Sequence, residues 1–440
     1  MISVMRILKK KLVGGLKKIF FIIFLFIFFI SKNSNASRIL DYETENFIKT
    51  IILEIKKINN ITKNINFIII SNEEINAYVN QDNLIHITTG LIENCDDYVA
   101  LLSVIAHEIG HIDMSHIKQR ELSSKKLQNI NKLSNLSIIA GSFISTNPDI
   151  LQGLAVSSAG LADININFSK DQEREADYYS LHTLKKLNIH SNSIINLLNK
   201  IETRTIERGI TKEKLRLSTH PYFEERIDIV NYLNNSKSFN FNKNKNIKFK
   251  FIQAKYLGYS GNKKIIKDLE NPFNEYANAI VYAKNGDLKN SLKKLNSLIS
   301  KYPDNIFLIE TKADILYSYG FTDESVEFYN KVLNDLPNNL YSQIRIFENL
   351  NFDKFTPIEK QHLFYKNLNL LEKFYNNKNI LLKYLNLSLQ IENIEWSNFL
   401  DFWINKDIYK IDLKSKIVEF RNTDDKDLKK LINIIYKNLV

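Results

Sequence analysis

The chain has 440 residues, enough for two or three domains, and an apolar share of 44% that suits a globular protein. Its net charge of +11 is unevenly spread: seven basic residues and no acid fall within residues 1–36, which leaves +4 beyond them. A surplus that mild and dispersed argues against nucleic-acid binding. The single cysteine, Cys95, excludes an internal disulfide, and its place before an apolar helix predicts burial rather than reactivity.

Residues 1–36 begin with a basic stretch, continue through an apolar run from Ile19 to Ile30, and end in Ser34-Asn35-Ala36. A membrane-spanning helix needs about 20 apolar residues. The shorter core predicts a signal peptide over 1–36, cut after Ala36, with a retained anchor as the alternative. Either way the rest of the chain is expected outside the cytoplasm. Arg38 to Lys57 has the apolar spacing of a helix, and Asn66 to Ser71 reads as a short strand. Ala77 to Thr89 predicts a strand or a hairpin with its turn at Asn80-Gln81-Asp82-Asn83.

A helix is expected from Tyr98 to Arg120, and it carries His107-Glu108-Ile109-Gly110-His111. Residues four apart share a helix face, so His107 and His111 can turn both imidazoles to one ion. Glu108 can then reach a water on that ion, which is the arrangement of a zinc peptidase. The preceding strand, Ile85 to Thr89, is expected to align an extended substrate by backbone pairing. At 100° per residue, His116 should turn away from the metal face.

Leu136 to Asn167 reads as two apolar helices broken near Asn147-Pro148, packed on the core or forming a lid or membrane-contacting hairpin. Another helix is predicted from Ser169 to Lys186. Glu173 and Asp177 share one of its faces; Glu173 is the best candidate for the third ligand, and Asp177 for the group that fixes a ligating histidine through its other ring nitrogen. Glu175 should point elsewhere, into a surface or local salt bridge, and His182 should turn away. Residues 236–270, rich in Asn, Lys and Phe near their start, read as a linker. Beyond them Ala279, Gly286, Ser291 and Pro303 recur 34 residues later as Ala313, Gly320, Ser325 and Pro337. That is the period of tetratricopeptide helix pairs. The expected layout is therefore a zinc metallopeptidase domain at 37–235, the linker, and tetratricopeptide-like helical repeats at 271–440, degenerate after Asn339. The fold class is mostly α: an α+β, zincin-type catalytic domain with a small sheet, followed by a helical solenoid.

An ordered set of motifs carries a resemblance over roughly residues 38–337: Asn76-Ala77-Tyr78-Val79, Thr88-Thr89-Gly90-Leu91, Ala106-His107-Glu108-Ile109-Gly110-His111, Phe168-Ser169-Lys170, Glu173-Arg174-Glu175-Ala176-Asp177 and His220-Pro221-Tyr222-Phe223-Glu224-Glu225-Arg226. The chain resembles the metallopeptidase family that includes HtpX and the CAAX prenyl endopeptidases, in its exported, repeat-bearing, BepA-like branch. Lys170 departs from the arginine usual there. The resemblance implies one zinc ion per chain, with His107, His111 and Glu173 as ligands and Glu108 as base. It also draws His220 and Arg226 to the site. His220 would stabilise the oxyanion or occupy the open metal position; Arg226 would pair with Asp177 or Glu173, or line the site. The implied role is a periplasmic endopeptidase for unfolded or misassembled envelope proteins, with repeats that dock clients or the outer-membrane assembly machinery. A periplasmic chaperone or adaptor with weak proteolysis is the alternative.

Overall fold

The computed structural model describes residues 38–80, 82–116, 118–119, 171–207, 226–228, 230, 240–408 and 412–439. The expected signal segment, the 136–167 hairpin and His220 lie outside the described residues. Among the described residues, no helix is long and apolar enough to cross a membrane. The architecture is mostly helical with one small sheet.

Four strands make that sheet: β1 (Arg38–Ile39), β2 (Asn66–Ile70), β3 (Ala77–Val79) and β4 (Leu84–Thr88), in the order β1-β2-β4-β3. The β1–β2 and β3–β4 pairs are antiparallel, and β2 runs parallel to β4. Isoleucines Ile69, Ile85 and Ile87 point into the core, as β-branched side chains on alternate positions should. The β3–β4 hairpin is closed by Asn80, whose Oδ1 accepts the N–H groups of Asp82 and Leu84 at 3.0 Å each. Strand β4 cannot offer an edge to substrate, because β2 and β3 pair with both of its sides; the outer edge on this flank belongs to β3.

Helix α1 (Tyr42–Asn59) buries Phe47, Ile48, Ile51, Ile52 and Ile55, one apolar stripe at helical spacing. Thr88 caps the short α2 (Thr89–Asn94), and Asp97 caps α3 (Tyr98–Asp113) by accepting the N–H groups of Val99 and Ala100. Of the 16 residues of α3, 14 are buried. A helix enclosed on all sides has no solvated face for its polar residues, so His107, Glu108 and His111 must answer to groups inside the protein. Helix α4 (residues 171–187) crosses α3 at close range. Gly110 allows the approach, since a Cβ there would sit 3.1 Å from the Tyr179 side chain. Ser180 fastens the pair by donating its hydroxyl to the Ser103 carbonyl at 2.7 Å. Helix α5 (Asn192–Glu207) follows, and Cys95 is fully buried beneath this layer.

The expected linker at 236–270 holds two helices instead, α6 (Lys243–Ser260) and α7 (Lys263–Asp268). The absence of a clear apolar period has a physical cause: α6 is buried on several sides at once. Phe249, Ile252 and Tyr256 join the core beneath the sheet, while Phe251, Ala254 and Leu257 join the core of the helices that follow. Lys255 completes the join from α6 to the head of α1, with Nζ 2.7 Å from both Asp41 and Glu43.

From there the chain is helical throughout. The pairs α8 (Phe273–Lys284) with α9 (Leu288–Lys301) and α10 (Ile306–Ser318) with α11 (Thr322–Asp335) carry the 34-residue repeat. Equivalent residues occupy equivalent places. Ala279 and Ala313 are fully buried, as are Ser291 and Ser325. Gly286 and Gly320 each turn the chain with φ of +87° and +83°, a region that costs other residues steric strain. Seven further helices continue the stack: α12 (Leu340–Asn349), α13 (Pro357–Lys366), α14 (Leu368–Lys373), α15 (Lys378–Gln390), α16 (Ile394–Ile404), α17 (Leu413–Phe420) and α18 (Lys426–Leu439). Their shared core centres on Phe364, Tyr384, Trp396 and Trp403.

Candidate metal centre

Helix α3 presents His107 and His111 one turn apart, and the crossing helix α4 brings Glu173 against them. His107 Nε2 lies 3.1 Å from His111 Nε2, Glu173 Oε2 lies 3.3 Å from His107 Nε2, and Glu173 Oε1 lies 3.5 Å from His111 Nε2. All three side chains are buried. Ligand atoms held tetrahedrally at ~2.0–2.1 Å from zinc stand about 3.3 Å from one another. The spacing here matches that edge, and the donor set of two imidazoles and one carboxylate is one zinc accepts while a fourth position stays open. Glu108, next to His107 on α3, is buried at the same place.

The far side of His107 is held firmly. Its Nδ1 lies 2.9 Å from Asp177 Oδ1, and Arg226 grips the same carboxylate twice, Nε to Oδ2 at 2.8 Å and Nη2 to Oδ1 at 2.6 Å. Of the partners open to Arg226, the structure selects Asp177. The electrostatics follow. Burial opposes charge on Asp177, but Arg226 and His107 outweigh it and hold the carboxyl down at about 2. Burial likewise works against an imidazolium at His107, yet the hydrogen bonds to Asp177 and Glu173 push its pKa up to about 10. The pocket therefore favours positive charge at the point where the two histidines meet, whether a proton or a metal ion supplies it.

Two residues set aside on sequence grounds are part of this cluster. His116 is 1% exposed, with Nδ1 3.0 Å from His111 Nδ1 and Nε2 2.9 Å from Glu175 Oε2. The projection of 100° per residue fails because α3 stops at Asp113 instead of running to Arg120. Ser115 takes a left-handed conformation, φ +60°, and returns the chain toward the helix it has just left. No glycine or proline marks the break, so only a histidine close behind His-x-x-x-His could have hinted at it. Glu175 does make a local contact, but it is a hydrogen bond to His116 Nε2 at 2.9 Å. His182 faces outward, as expected.

Residues 43–234 match the model of peptidase family M48. The chain is 25% identical over 281 residues to a putative beta-barrel assembly-enhancing protease of Vibrio cholerae, covering 58% of this chain and 55% of that one. It is 22% identical over 303 residues to the beta-barrel assembly-enhancing protease of Escherichia coli K12, covering 66% and 61%. It is 26% identical over 165 residues to metalloprotease YcaL of the same strain, covering 37% and 59%. In each case the chain spans little more than half of the relative's length.

Proposed function

From a chain whose residues 43–234 match the model of peptidase family M48, we propose a zinc-dependent endopeptidase acting on extended polypeptide. The observation that carries this reading is the convergence of His107, His111 and Glu173 on one point with Glu108 buried alongside. His107, His111 and Glu173 would hold a zinc ion there, which would acidify a water and polarise the scissile carbonyl. Glu108 takes the proton from the attacking water and passes it to the leaving nitrogen. Asp177 keeps the His107 proton on Nδ1, so that Nε2 is free to ligate, and Arg226 keeps Asp177 ionised and in place. We assign His220 to the oxyanion on the strength of its motif.

Substrate alignment falls to β3. Its pairing with β4 uses alternate residues, since Asn80 N–H donates to Leu84 and the Asn76 carbonyl accepts from Thr88. Ala77 and Val79 therefore turn their backbone groups outward, toward an edge that no other described strand covers, on a strand that packs against α3. An edge of this kind takes extended chains and rejects folded ones. Combined with relatives named for beta-barrel assembly, this supports a role outside the cytoplasm in clearing unfolded or misassembled envelope proteins. The helical repeats, which we read as tetratricopeptide-like, would dock clients or the assembly machinery.

The test is zinc content and casein cleavage for the wild type and Glu108→Gln. One zinc per chain in both, with cleavage lost only in the variant, is the expected result. A folded wild type that binds no zinc would overturn the reading. Zinc-loaded protein that protects clients equally well in both forms, and cleaves in neither, would move the function to the chaperone alternative.

A further inference from the structure

We propose that His116, backed by Glu175, is a positioning residue that fixes the tautomer and ring orientation of His111; this rests on the reading of His111 as a metal ligand. His111 Nε2 converges with His107 Nε2 and Glu173, so as a ligating atom it carries no proton. The proton of the neutral ring then sits on Nδ1, and the atom it meets is His116 Nδ1 at 3.0 Å. That nitrogen must accept, which places the His116 proton on Nε2. His116 Nε2–H in turn meets the Glu175 carboxylate at 2.9 Å. With the metal-facing nitrogen bare and both rings neutral, these contacts are satisfied by a single arrangement of protons. The geometry leaves His116 little freedom: the ring is 1% exposed and stands at 74° to His111 with centroids 5.2 Å apart.

The two histidine ligands are thus backed differently. His107 leans on a buried carboxylate pinned by Arg226. His111 leans on a neutral imidazole whose own anchor, Glu175, has a side chain 60% exposed. A carboxylate raises the basicity of the ring it faces more than an imidazole does. His111 is therefore the more weakly reinforced ligand, and its hold on the metal depends on His116 keeping the acceptor in place.

The experiment compares zinc affinity, by chelator competition on the full chain, for wild type, His116→Asn and His116→Leu. Asparagine Oδ1 replaces the acceptor nitrogen but not the ring volume; leucine fills space but accepts nothing. Wild-type-like affinity in His116→Asn, within about threefold, and a loss of about 10–100-fold in His116→Leu are expected. The reverse order, or equal affinities, overturns the proposal by making His116 a packing residue. Should the leucine variant not fold, two-bond ¹⁵N–¹H spectra of the zinc-loaded wild type decide: His116 in the Nε2–H form supports the proposal, and the Nδ1–H form overturns it. A folded wild type that binds no zinc defeats the metal-centre reading itself, which separates that failure from this one.

Discussion

Asp177 Oδ1 is shared between His107 Nδ1 at 2.9 Å and Arg226 Nη2 at 2.6 Å, so one carboxylate both orients a candidate ligand and neutralises a half-buried guanidinium. The two partners should respond differently to mutation. Asp177→Ala frees the His107 ring and should weaken zinc binding about 10–100-fold. Arg226→Ala strands a buried carboxylate and should cost about 3–5 kcal/mol of stability. The double variant removes both charges and should be more stable than Arg226→Ala alone. Urea denaturation of the three proteins checks the order; strict additivity would show that the pair is not coupled.

Gly110 sets the distance between the helix that carries the histidines and the helix that carries Glu173. A Cβ there would lie 3.1 Å from Tyr179. Alanine gains about 1 kcal/mol in helix propensity and should come close to break-even. Valine brings two methyl groups into the same contact and should cost about 1–3 kcal/mol while prising Glu173 from the imidazoles. Zinc affinity should fall together with stability in Gly110→Val, and Tyr179→Ala in the same chain should recover part of both.

Helical spacing made the heart of the site readable in the sequence. His107 with His111, and Glu173 with Asp177, are each four apart, and that local rule survives folding because α3 and α4 are regular where those residues lie. What the sequence hid depends on departures from regularity or on long-range choices. His116 reaches the site only through the left-handed turn at Ser115. Helix α6 shows no apolar period because Phe249 and Phe251 serve two different cores. The interior position of β4 is a matter of strand order, which the alternation of Ile85, His86 and Ile87 does not encode. The choice of Asp177 over Glu173 by Arg226 is likewise fixed only when distant segments meet.

The outward backbone of β3 yields a test of substrate alignment. Ala77 opens the strand, and its N–H points away from β4, so proline at this position removes a donor from the outer edge, which no other described strand covers, without taking one from the sheet. A net hydrogen bond contributes about 0.5–1.5 kcal/mol. Ala77→Pro should therefore lower kcat/KM on casein about 2–10-fold, with zinc content and melting temperature close to wild type. Unchanged cleavage would show that substrate does not pair at this edge.

Glu310 makes the helical repeats lose stability as pH rises from about 4.5 to about 8. It is buried on α10, accepting from Asn339 Nδ2 at 2.6 Å and from the Ser342 hydroxyl at 2.8 Å. Burial, with Asp314 nearby, pushes its carboxyl up to about 8. The folded state thus holds a proton that the unfolded chain releases near pH 4.5, so the stabilisation is complete below that value and drains away as pH rises toward 8. The loss across that window should be on the order of 3–5 kcal/mol if no other group compensates. Glutamine keeps the accepting oxygen and has nothing to ionise. Glu310→Gln should match the wild type near pH 4.5, exceed it in melting temperature at pH 8, and show a flatter profile between. A variant whose pH profile runs parallel to the wild type would show that Glu310 ionises in the fold as it does in water.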